Sequence, residues 1–103
     1  MIKGVVGFDW DAGNISKCEK HGVAIADIEE LFSRPLHVIT DGRHSVYEDR
    51  FIAVGKTADG RGIFVGFTIR HGKAGNLIRP ITARFMHKRE AKKYEEEVAK
   101  TRK

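Results

Sequence analysis

Cysteine, proline and long apolar runs are all scarce in this 103-residue chain. A single cysteine, Cys18, excludes an internal disulfide and a thiolate metal cluster. It falls at an apolar position of a predicted helix and reads as a buried, inert thiol. No stretch approaches the roughly 20 apolar residues that a membrane span needs. The apolar run in the opening MIKGVVGFDWD is too short for a secretory signal. These absences point to a cytoplasmic protein. Repeats, low-complexity tracts and linkers are also missing, so residues 1–103 read as one domain.

Acidic residues are sparse in the second half. Residues 1–50 hold six basic and nine acidic side chains, whereas residues 51–103 hold thirteen and five. The formal net charge of +5 is therefore concentrated in the C-terminal half. A basic half fits an anionic partner, because Lys and Arg that neutralise phosphates release condensed counterions. Solubility alone is the plainer explanation of the same charge.

Hydrophobic residues make up 41% of the chain, enough for one core. Residues 4–10 read as a short strand. Asp11 is a good N-cap for a helix over 12–21, with Trp10 placed to staple onto Ile15 and Gly22 as the stop. A second helix spans 24–33, with Ile25, Ile28, Leu31 and Phe32 on one stripe and Pro35 beyond its end. Four strand signals follow, at 36–40, 50–56, 63–69 and 77–84. The third is apolar on both faces, as a central strand would be. The fourth contains Pro80, which cannot donate to a ladder, so an edge position or a bulge is expected there. A helix over 87–99 closes the chain, with Ala91, Tyr94 and Val98 on one face. The expected class is α+β, a four- to five-stranded antiparallel sheet packed with three helices in the order β-α-α-β-β-β-β-α.

Several pieces resemble the BrnT family of toxin–antitoxin ribonucleases. They are Phe8-Asp9-Trp10-Asp11, Asn14, Lys20-His21-Gly22-Val23, Glu48-Asp49-Arg50, Gly55, Ile78-Arg79-Pro80-Ile81-Thr82-Ala83-Arg84, and Glu90 with Tyr94. The likeness runs from about residue 8 to 97. Pro80 and Thr82 stand where the family usually has isoleucine and serine. The resemblance implies a RelE-like fold and metal-independent RNA cleavage. It also implies neutralisation by a BrnA-type antitoxin and a toxin–antitoxin complex that represses its own operon. The implied assembly is a heterotetramer in which the ribbon-helix-helix antitoxin contacts operator DNA.

Metal-free RNA cleavage needs a base for the ribose 2′-OH, an acid for the leaving 5′-oxygen, and cations for the phosphate. Arg79 and Arg84 are the first candidates for the phosphate, because guanidinium forks suit its oxygens. Five residues apart, they would face opposite ways on an ideal strand. Both can serve one site if Pro80 causes a bulge, or if Arg84 already lies past the strand end. Glu48 and Arg50 share strand parity, as a base and its tuning cation or as a plain ion pair. Histidine as a residue type can act as acid or base near neutrality, which makes His21 a candidate, and a cation at a helix C-terminus is also favoured electrostatically, as for Lys20. Lys88 and Arg89 begin the last helix, where cations oppose the dipole unless an anion binds. Tyr94 shares a helix face with Glu90, which could orient a strand arginine. The candidate set is thus His21, Glu48, Arg50, Arg79 and Arg84 for chemistry, and Lys20, Lys88, Arg89 and Tyr94 for substrate. His44 is an outside candidate for the acid. No pair of histidines has close metal-ligand spacing, so no metal or cofactor is expected. Two other readings fit the same charge: a non-catalytic nucleic-acid-binding module, and a basic face that docks an acidic antitoxin.

Overall fold

A computed structural model describes residues 4–40 and 49–101. The elements are β1 (Val5–Phe8), α1 (Ala12–Glu19), α2 (Ile25–Leu31), β2 (His37–Thr40), β3 (Phe51–Lys56), β4 (Gly62–His71), β5 (Asn76–Phe85) and α3 (Lys88–Thr101). This is the order read from the sequence. The five strands form one sheet in the order β1-β5-β4-β3-β2, so β4 is indeed central. The sheet is mixed, however, and not wholly antiparallel. β2 to β5 form an antiparallel meander, while β1 pairs parallel to β5. The partner of β1 lies some seventy residues away in the chain, beyond the reach of a reading based on short connections.

α1 starts where Asp11 caps it. The Asp11 carboxylate accepts the Asn14 N–H at 3.0 Å, and the Asn14 side chain accepts the Asp11 N–H at 2.7 Å. This reciprocal box satisfies backbone donors that a helix start otherwise leaves open. Gly22, at φ +85°, supplies the left-handed turn into α2. The Asn14 amide is buried and donates to the carbonyls of Asp9 at 2.9 Å and Pro80 at 2.8 Å. One side chain thus caps α1 and fastens it to β5.

α2 covers one face of the sheet. Phe32, at its C-terminal end, meets Phe67 edge-on at 5.1 Å and Phe8 at 5.8 Å. Phe67 also lies 5.5 Å from Phe51 on β3. Ile28, Leu31, Ile63, Val65 and Ala83 complete the buried core. Gly55 lets α2 approach closely: a β-carbon there would lie 2.6 Å from Leu31 Cδ1. Cys18 is buried in this core, and burial pushes its thiol up to about 11.

Pro80 lies on an inner strand, where it forces a bulge. Phe67 of β4 pairs with Pro80, but Gly66 pairs with Thr82, which leaves Ile81 without a partner in the ladder. Pro80 thus tolerates a place beside the central strand because the extra residue breaks the ladder there. The bulge shifts the alternation by one. Ile78, Pro80, Ala83 and Phe85 oppose the core-facing residues of β4, and Arg79, Thr82 and Arg84 share the other face.

Candidate functional site

The face of the sheet away from α2 carries cations. Arg79 is cross-strand from Thr68, whose hydroxyl donates to the Asp49 carbonyl at 2.6 Å and so ties down the lead into β3. That bond sets Arg50 alongside. Arg50, Arg70 and Arg79 line one pocket together with Gly13, Asn14 and Lys17 of α1, a polar space of about 250 Å³. Four cations around one small concavity repel each other, and an anion between them would relieve that repulsion. Arg50 Nε is buried and has no hydrogen-bond partner among the described residues. An unsatisfied buried donor is costly, and an anionic oxygen would satisfy it.

Arg79 is anchored at its other side. Its Nη2 lies 2.9 Å from Asp11, and its Nη1 lies 3.5 Å from Asp9. The Asn14 N–H, followed by the Arg79 guanidinium, holds the Asp11 carboxyl below the usual carboxylate range. The helix cap therefore also aims an arginine.

A second pocket, of about 270 Å³, lies beside the first on the same face. Its lining includes Ile39, Ile52, Phe64, Gly66 and Thr82, with His21 and Arg84 adding polar groups. Arg84 stacks over the Phe64 ring at 4.6 Å and forms a two-pronged pair with Glu90, at 2.9 Å from each nitrogen. Glu90 also accepts the His87 N–H at 2.9 Å, which closes the start of α3. These bonds hold the Glu90 carboxyl down to about 2, with the Arg84 guanidinium as the largest cause. The expectation that Glu90 orients a strand arginine is met.

The bulge thus puts Arg79 and Arg84 on one face, in neighbouring pockets. Arg50 joins the first and His21 the second. Lys20, Lys88 and Arg89 are exposed and line neither pocket. Tyr94 is half-buried and meets His37 edge-on at 5.6 Å. Glu48 and His44 lie outside the described residues. Sequence reasoning passed over Lys17 and Arg70. Arg70 had a visible signal: it keeps the parity of Thr68 one step past the last apolar residue of β4. Lys17 had a weaker one, the four-residue spacing from Gly13 to Lys17 to His21 along one stripe of α1. Among the described residues, no group of three or more His, Cys, Asp or Glu side chains is placed to hold a metal. No described helix is long and apolar enough to cross a membrane.

The fold and this face define a small α+β domain with a cationic, two-pocket surface opposite its core. The model of the BrnT family, ribonuclease toxins of type II toxin–antitoxin systems, matches residues 10–90, and the chain belongs to that family. No curated protein matches the chain at a significant level. The matched span contains both pockets and ends at Glu90, the residue that holds Arg84.

Proposed function

We propose that the chain is a metal-independent endoribonuclease whose cationic face holds the RNA being cut. In the reaction, a base takes the proton of a ribose 2′-OH, and the O2′ attacks the adjacent phosphorus. The P–O5′ bond breaks, and an acid protonates the departing O5′. The products are a 2′,3′-cyclic phosphate and a 5′-hydroxyl. Arg79 and Arg84, with Arg50, stabilise the negative charge that grows on the phosphate oxygens. His21, which lines the same pocket as Arg84, is the proposed proton-transfer group, and Glu48 is the candidate second one. Lys20, Lys88, Arg89 and Tyr94 contact the flanking substrate.

The observation that carries this reading is the bulge at Ile81, which places both arginines on one face. Their carboxylate partners do not oppose it. Glu90 takes one N–H from each terminal nitrogen of Arg84, and a guanidinium has five N–H donors. The fork can hold Glu90 and a phosphate together, already oriented.

The partner implied by the family is a BrnA-type antitoxin of the ribbon-helix-helix kind. It joins the toxin in a heterotetramer and contacts operator DNA, all within the cytoplasm. Co-expression tests this part: the chain alone arrests growth, and the partner relieves the arrest.

The direct test incubates purified protein with single-stranded RNA in EDTA. Wild type cleaves, and Arg79→Ala and Arg84→Ala each lose about a hundredfold or more in rate. Intact RNA with wild type, or variants as active as wild type, would contradict the proposal. Salt-sensitive binding without cleavage would favour a module that only binds nucleic acid.

A further inference from the structure

The second pocket has a composition that phosphate chemistry does not explain. Across the strands, Ile39, Ile52, Gly66 and Thr82 form one row by register. The row dips at Gly66, which has no side chain. A β-carbon there would lie 3.1 Å from Thr82 Cγ2. Ile52 and Phe64 bound the dip, and Ile39 is 54% exposed to solvent. Ile39 thus adds exposed apolar surface to the rim of a slot already lined by Ile52 and Phe64. Ala83 also lines the slot, as do two groups suited to the edge of a ring, His21 and Arg84. The volume of about 270 Å³ lies below the roughly 300–1,000 Å³ of pockets for drug-sized molecules. It fits one flat ring system.

We infer that this slot is a subsite for one unpaired nucleobase of single-stranded RNA. The inference rests on the ribonuclease reading and deepens it. The neighbouring pocket, with Lys17, Arg50, Arg70 and Arg79, is built for phosphate and offers little apolar surface. Proteins that read single-stranded RNA splay bases out onto aromatic rings or guanidinium planes while cations track the backbone. Here the two tasks fall to two adjoining concavities. Arg84, stacked on Phe64 and steered by Glu90, lines the second of them. The floor at Gly66 then helps decide which nucleotide lies beside the bond that is cut.

The test uses the full chain and fluorescence anisotropy. The probe is a 2′-O-methyl pentanucleotide, which cannot be cleaved because its 2′-oxygens are blocked. It is compared with versions that lack the base at each position in turn. For wild type, removing one particular base weakens binding about tenfold, in line with the worth of a stacked base. Gly66→Val fills the floor, so its affinity for the intact probe falls to that for the abasic one. Ile39→Thr, on an exposed edge, keeps the fold and loses part of the difference. It carries the test if Gly66→Val does not fold. Equal binding of the intact probe and every abasic probe by wild type would overturn the subsite and leave the RNA reading standing. Failure of wild type to bind any probe would overturn both.

Discussion

The two faces of this sheet use the same strands for different ends. On one, Phe51, Phe67 and Ile78 pack against α2 and the Phe32 ring at its end. On the other, Arg50, Arg70, Arg79 and Arg84 line pockets, with Arg79 held by Asp11 and Arg84 by Glu90. The first face is apolar and closed, and its energy comes from burial. The second is charged, meets α3 through His37, Lys56 and Arg84, and carries the two pockets. Strand alternation supplies this division without further instruction, because neighbours along a strand point opposite ways. β5 is the exception that makes the site. Without the extra residue at Ile81, Arg79 and Arg84 would face apart, and one of them would enter the core.

The two faces differ most in how they fail. Phe67→Ala removes the ring that joins α2 to β3 and costs about 3–5 kcal/mol of stability. Denaturant unfolding measures it, and a loss under 1 kcal/mol would show that this face is not the core. Asn14→Ala strikes the join between the faces. It strips hydrogen bonds from the Asp9 and Pro80 carbonyls and costs about 1–3 kcal/mol. It also loosens the cap that aims Arg79, so RNA cleavage falls by more than the stability loss alone explains. If cleavage instead followed only the folded fraction, the cap would have no part in positioning.

Smaller effects separate the faces by chemistry. The Glu90 carboxyl is lowered to about 2 in the folded protein from an ordinary value near 4.5. A depressed carboxylate stabilises the fold above its unfolded value and loses that contribution as pH falls from about 4.5 through about 2. Wild type therefore loses stability over that window by more than Glu90→Gln does. The difference is small because the pair is exposed and screened. Equal slopes in both proteins would mean the pair contributes nothing. The last contrast is reactivity. Cys18 is buried, with its thiol raised to about 11, so alkylation at pH 8 is slow in the folded protein and fast in denaturant. Equal rates would place Cys18 outside the core.

Much of this division was legible in the sequence, since it follows from local rules. Asp11, Gly22 and the stripe Ile25, Ile28, Leu31 and Phe32 mark the helices through capping and periodicity. The doubly apolar run 63–69 marks β4 as central. Pro80 announced an irregularity, with edge and bulge as alternatives, and only the ladder decides between them. The parallel pairing of β1 with β5 was hidden, because long-range pairing leaves no local signal. That Glu90 orients a strand arginine was expected, but that the arginine is Arg84 depends on how α3 lies against β5. The company of Lys17 and Arg70 with Arg79 could not be read either, because it depends on how α1 lies along β5. The Asn14 bond to the Pro80 carbonyl, which sets that placement, joins residues 66 positions apart.

RNA is expected to bind the cationic face and to leave the α2 face untouched. Backbone amide shifts recorded by NMR during titration with a 2′-O-methyl dinucleotide test it directly. The largest shifts are expected at Arg50, Arg70, Arg79, Thr82 and Arg84. Shifts centred on α2 and β1, or none at saturating dinucleotide, would contradict it.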